Sequence, residues 1–294
     1  MNTKIANNYF LWYKDIKMEV NVLSDKRDFS YILEYYSDKT KILHFGVSLD
    51  KTKIRLNLTR ENFAKIDRES YTKVPAHNKI LENWDEWKKQ KETLEFNELN
   101  TRICPPGLKF EKEGDKLVLS EEYCKKYQDM CLQNYDLNMK FIKKLNHKTF
   151  EKMLDKFVKK YNMMEVKDLK ECKKKTGIYM AVLDNFNQLY IGQTTKDLKE
   201  RILNHWKLKP KFDRLLFGKV TESVIPYDSY GALDTTRIFI IYEQDKKKID
   251  QIEKNLVQEI PQKYQTNRIG GGIHLDTIKD LLDTVNTMNL RKLK

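Results

Sequence analysis

KTGIYMAVLDNFNQLYIGQTTKDLKERILNHW, residues 175–206, holds a strand, a turn, a second strand and the start of a helix. Within it two tripeptides, Gly177-Ile178-Tyr179 and Tyr190-Ile191-Gly192, are separated by ten residues. Val182 and Leu183 end one apolar run, Asp184-Asn185-Phe186-Asn187 is a polar turn, and Leu189-Tyr190-Ile191 forms a second apolar run, a pattern that predicts a β-hairpin. Thr194 or Thr195 stands where a helix cap belongs, ahead of an apolar face made of Leu198, Ile202 and Trp206. On that helix Arg201 and His205 are four apart and lie one turn from each other on a shared face.

Further along, Arg237 to Tyr242 reads as a third strand. Ile249 to Ile260 reads as a helix carrying Glu253 and the aliphatic pair Leu256-Val257, and Asn267 precedes Gly270-Gly271-Gly272. The C-terminal half is therefore expected to be α+β, with a small antiparallel three-stranded sheet flanked by helices.

In this order and spacing the two tripeptides, Arg201 with His205, Glu253 with its aliphatic pair, and Asn267 with its glycines resemble the GIY-YIG nuclease family over about residues 174–275. Taken singly, each of these residues is an ordinary strand, helix-surface or turn residue; their joint order carries the resemblance. It implies hydrolysis of DNA phosphodiesters to 5′-phosphate and 3′-hydroxyl ends. It also implies that Glu253 binds the metal, that Tyr179 takes the proton of the attacking water with His205 assisting, and that Tyr190 hydrogen-bonds the phosphate or orders the nucleophile. Gly192 and Asn267 match positions with a structural or DNA-contacting part.

The chemistry agrees with the residue types. In-line attack on a phosphodiester needs a base, a cation on the crowded phosphate and help for the leaving oxygen. A single carboxylate, Glu253, suits Mg²⁺ that keeps several waters and phosphate oxygens, with Mn²⁺ as a substitute, and the segment offers no obvious second carboxylate for a two-metal site. Arg201 can fork onto two phosphate oxygens as a transition-state clamp. A free tyrosine with a pKa near 10 is only about 0.3% ionised near pH 7.5, so Tyr179 requires a neighbouring cation, a metal-bound water or neutral His205. His205 as the direct base with Tyr179 as a positioner is the other assignment.

Residues 207–236 form a long basic insertion between the Arg201 helix and the third strand. Lys209, Lys211 and Arg214 are candidate DNA-backbone contacts, and Phe212, Leu215, Leu216 and Phe217 are candidate anchors to the core. Lys173, Lys174 and Lys175, just before the first tripeptide, are the other local basic run.

The 294 residues carry a net charge of +13 and 40% apolar residues, enough for two moderate cores and suited to a polyanionic partner. Charge alone does not distinguish DNA, RNA or a membrane surface; double-stranded DNA is what the resemblance implies. Cys104, Cys124, Cys131 and Cys172 show no C-x-x-C spacing or zinc pattern and read as free thiols. With no secretory leader and no apolar run of membrane-spanning length, the expected compartment is cytoplasmic. Abundant Lys, Asn and Ile point to an AT-rich bacterial or phage genome.

Two domains are expected, 1–165 and 166–294. The first reads as mixed α+β. It has strand pairs at 41–47 with 53–58 and at 108–110 with 116–119, a helical stretch with Trp84 and Trp87, and a turn at Cys104-Pro105-Pro106-Gly107. From Glu121 it becomes helical, with Phe150, Met153, Leu154, Phe157, Val158 and Tyr161 as one apolar stripe. Leu275 to Lys294 reads as a terminal helix. Family members used in homing or excision repair usually carry the catalytic module first, so its position here favours a restriction-like, phage or mobile-element enzyme whose N-terminal part selects the target. A twofold dimer would serve a palindromic duplex. A structure-specific repair nuclease and a catalytically silent DNA-binding module are the alternatives.

Overall fold

The computed structural model describes residues 5–13, 16–23, 58–64, 110–113, 116–119, 121–207, 215–216, 219–268 and 291–293. The expected strand pair at 41–47 and 53–57, Trp84, Trp87, the Cys104 turn, the glycines at 270–272, and Lys209, Lys211, Phe212, Arg214 and Phe217 lie outside those residues.

The described strands are β1 (Ile5–Tyr13), β2 (Ile16–Leu23), β3 (Phe110–Glu113), β4 (Lys116–Leu119), β5 (Met164–Glu165), β6 (Gly177–Leu183), β7 (Gln188–Thr194) and β8 (Arg237–Tyr242). The helices are α1 (Arg60–Phe63), α2 (Glu121–Ile142), α3 (His147–Lys160), α4 (Leu198–Lys207) and α5 (Lys246–Glu259). The chain divides into two compact units that interleave in sequence: Met1–Asn57, Lys144–Lys209 and Tyr230–Thr266 form one, and Leu58–Lys143, Pro210–Ser229 and Asn267–Lys294 the other. By contacts, then, α3 belongs with the sheet that follows it, whereas the linear reading divides the chain between residues 165 and 166.

The first unit is built on a sheet of order β5-β8-β6-β7. It has four strands rather than the expected three, because Met164 and Glu165 pair antiparallel with Ile240 and Phe239 at the free side of β8. Two residues after a helix are too short a run for periodicity to reveal. The hairpin forms as expected, with β6 antiparallel to β7 and Asn187 closing the turn in the left-handed region at φ 49°.

All seven residues of β6 are buried, because helices cover both sheet faces. On one face Tyr179, Ile238 and Ile240 pack with Leu198, Ile202 and Trp206 of α4. On the other, Ile178, Met180, Val182, Ile191 and Phe239 pack with Phe150, Leu154 and Phe157 of α3 and Ile249, Leu256 and Val257 of α5. The two-residue strand period sorts these side chains cleanly onto opposite faces. The α3 stripe behaves as predicted, with Met153, Val158 and Tyr161 at its margin.

Asn146 caps α3 by accepting from Thr149 N, and Asp245 caps α5 by accepting from Lys247 N. The cap of α4 is Asp197, whose Oδ1 accepts from Glu200 N at 3.1 Å, and not Thr194 or Thr195. Thr194 instead accepts from Lys196 N within the preceding turn.

Gly177 holds β6 against β8: its φ is +142°, and a Cβ there would stand 1.9 Å from Ile241 O. Gly177→Ala is expected to cost about 1–3 kcal/mol. Urea unfolding checks this through a lower midpoint at unchanged slope.

In the second unit β3 and β4 pair antiparallel, from Phe110 opposite Leu119 to Glu113 opposite Lys116, as expected. Asn134 of α2 donates to Val220 O and Ser223 O, Asn138 donates to Ser223 O, and Tyr127 Oη accepts from Leu216 N. Leu215 and Leu216 are buried as their apolar character suggests, but this part of the 207–236 insertion belongs to the second unit with α2 and not to the unit of the sheet. Arg291 N and Leu293 N donate to Glu222 O and Thr221 O, and the described end of the tail, residues 291–293, is not helical. Cys131 and Cys172 are buried free thiols.

Candidate active site

Strand β7 lies at the end of the sheet order, beside both α4 and α5. Tyr179 on β6, Tyr190 on β7 and His205 on α4 converge on one face there. Tyr179 Oη lies 2.6 Å from His205 Nε2, and the ring centres of Tyr190 and His205 are 5.1 Å apart in edge-to-face contact. Tyr179 and His205 are buried, while Tyr190 is half-buried. With the imidazole proton on Nδ1 the phenol donates to Nε2, which makes that nitrogen the nearest acceptor for the phenolic proton.

Gly192 is opposite Tyr179 in the strand register, and a Cβ at 192 would meet the Tyr179 hydroxyl at 2.4 Å and its ring carbon at 2.5 Å. Its missing side chain is what gives the Tyr179 ring its place beside His205. The two tripeptides are thus one packing unit: the glycine of the second makes room for the tyrosine of the first.

Arg201 is exposed one turn before His205 on α4. Glu253 is buried on α5, with Oε2 2.8 Å from Gln193 Nε2. Burial pushes the Glu253 carboxyl above its ordinary range; the Gln193 hydrogen bond pulls it back, Asp250 pushes it up and Arg201 pulls it down. Arg201 and Glu253, which come from opposite sides of the sheet, therefore share one electrostatic neighbourhood. A carboxylate whose charge is opposed by burial and by a like charge suits a hard divalent cation, which takes oxygen donors.

Lys173, Lys174 and Lys175 are exposed, and the run is tied to the start of α4: Lys174 N donates to Asp197 Oδ2 at 2.8 Å and Leu198 N donates to Lys175 O at 2.9 Å. Lys174 has φ 57°, and Lys175 Nζ lies 4.1 Å from the Tyr242 ring centre. Asn267 is buried and begins the last segment of the other unit.

A second group went unread in the sequence. His147, Glu151 and Asp184 bring three possible ligand atoms within 4.8 Å of one another, a cluster able to hold a metal ion. Arg237 already forks between its carboxylates, donating to Glu151 Oε1 at 2.5 Å and to both oxygens of Asp184. Burial opposes the guanidinium charge, yet Asp184 and Glu151 hold it protonated well above its ordinary range. The sequence signal was Asp184 in a turn and Arg237 at a strand start, which no local spacing connects.

Two further residues were missed beside Glu253, on the α5 side of the sheet. Gln193 directly follows the second tripeptide, and Asp250 is three residues before Glu253, on the same helix face. No family model, no curated protein and no solved structure matches the chain. Among the described residues, no helix is long and apolar enough to cross a membrane.

Proposed function

We propose that the chain is a metal-dependent DNA endonuclease of GIY-YIG type, which hydrolyses phosphodiesters at the β7 edge. The observation that carries this reading is the contact of Tyr179 Oη with His205 Nε2 at 2.6 Å. That pair is made by the first tripeptide and the Arg/His helix, and its room is made by the glycine of the second.

In this reading Glu253, with its buried carboxylate, holds Mg²⁺ or Mn²⁺. When bound, such an ion supplies Lewis-acid stabilisation of the phosphate charge. The Tyr179–His205 pair takes the proton of the attacking water, the half-buried Tyr190 faces the phosphate, and Arg201 forks onto its oxygens as charge builds. The net charge of +13 adds a general attraction for the DNA backbone. A restriction-like, phage or mobile-element role, in the cytoplasm and with a twofold dimer on a palindrome, is the biological setting we infer.

Product ends test the reaction. Mg²⁺-dependent fragments carrying 5′-phosphate and 3′-hydroxyl groups, resealed by DNA ligase, are the expected result. Fragments with 3′-phosphate ends, which ligase leaves open, would mean that O5′ is the leaving oxygen and would overturn the proposed cleavage chemistry.

The basic run gives a separate test of DNA binding. Lys173→Ala, Lys174→Asn and Lys175→Ala together, with asparagine chosen for the positive φ at 174, are expected to weaken binding evenly across sequences. The salt slope should fall by up to about three, one for each lysine that no longer meets a phosphate. Filter binding in EDTA across a salt series reads it.

A further inference from the structure

The residue after the second tripeptide has a task that the tripeptides do not account for. Strand alternation turns Gln193 away from Tyr190 and Gly192, toward the face covered by α5. There its Nε2 lies 2.8 Å from Asp250 Oδ1 and 2.8 Å from Glu253 Oε2. A carboxamide nitrogen has two hydrogens, and both acceptors here are carboxylates, which only accept; the amide has one orientation that satisfies both. Asp250 and Glu253 are three residues apart on α5, so their side chains share a face and their charges repel. A side chain as long as glutamate, pushed by a neighbouring charge, has several rotamers that would carry its carboxylate out of place, and ordering it at the moment of binding costs free energy. The bridge removes that freedom in advance. Gln193 is half-buried and sits on a strand, so its own rotamer is held from both ends.

We propose that Gln193 is a positioning residue for the metal carboxylate: its two amide hydrogens, anchored on Asp250, hold Glu253 in the orientation that receives the ion. This rests on the reading of Glu253 as the metal ligand. Gln193 touches neither substrate nor ion in this account. It acts through Glu253, and the neighbouring Asp250 serves as its fixed second anchor.

The test titrates Mn²⁺ alone into the full-length, DNA-free chain and follows the electron paramagnetic resonance signal of the free aquo ion. Wild type, Gln193→Leu and Glu253→Gln are compared, each with a thermal melt and DNA binding measured in EDTA. Glu253→Gln is expected to lose the Mn²⁺ site. Gln193→Leu is expected to weaken it by about 10–100-fold, the range for residues that orient a metal ligand, with the melt and the DNA affinity as in wild type. In cleavage, raised Mg²⁺ should then restore kcat for Gln193→Leu at unchanged KM for DNA. If the leucine variant is unstable, Gln193→Met keeps the length without the donors and gives the same comparison. Wild-type Mn²⁺ affinity in the Gln193 variant beside loss in Glu253→Gln would overturn the positioning role and leave Glu253 as the ligand. Wild-type affinity in both would overturn the positioning role and the reading of Glu253 together.

Discussion

Glu253→Gln is expected to lower Mg²⁺-dependent cleavage by about 10³-fold or more while DNA binding in EDTA stays at the wild-type level. The magnitude follows from the number of roles that fall on one side chain. Glu253 is buried, its charge is opposed by burial and by Asp250, and it is relieved by Gln193 and Arg201. Glutamine has almost the same shape, can stay within reach of Gln193, and removes a charge that the folded chain holds at a cost. The variant should therefore melt at or above the wild-type temperature. Loss of activity with undiminished stability separates a functional carboxylate from a structural one. A variant that cuts DNA at the wild-type rate would remove Glu253 from the site.

Tyr179→Phe is the second large effect, with an expected loss of about 10²–10⁴-fold in kcat, the usual worth of a positioned proton acceptor. The ring stays, so its packing against Leu198, Ile202 and Trp206 stays too, and the fold loses the hydrogen bond to His205, worth about 1 kcal/mol. His205→Ala divides the labour within the pair. If water gives its proton first to Tyr179, His205→Ala keeps a residual rate that climbs as pH rises toward the phenol range, and the residual rate of Tyr179→Phe shows no such climb. The opposite pattern makes His205 the direct base and Tyr179 its positioner. Equal, wild-type-like rates in both variants would take the pair out of the mechanism.

The hairpin, the third strand and the helices around it were legible because each announces itself locally. β6 and β7 are apolar runs around a turn rich in Asn and Asp, and α4 and α5 carry apolar residues at helical spacing. The convergence of Tyr179, Tyr190 and His205 was legible only through the joint order of the motifs, since Tyr179 and His205 are 26 residues apart in sequence. What escaped were side-chain partnerships between distant elements. Gln193 meets Asp250 across 57 residues and Arg237 meets Glu151 across 86, and neither pair has a spacing that periodicity can register. The α4 cap was misassigned between near neighbours: three candidate residues fall within four positions, and only the backbone path decides that Asp197 is the one aimed at Glu200 N. β5 escaped because two residues carry no period.

Cleavage of mixed genomic and phage DNA, methylated and unmethylated, by the wild-type chain in Mg²⁺ or in EDTA tests the central claim most directly. Discrete fragments that form in Mg²⁺, are absent in EDTA and end at a common sequence are the predicted result. Binding of these DNAs, and of branched junctions supplied alongside, with no metal-dependent cutting of any of them would contradict it.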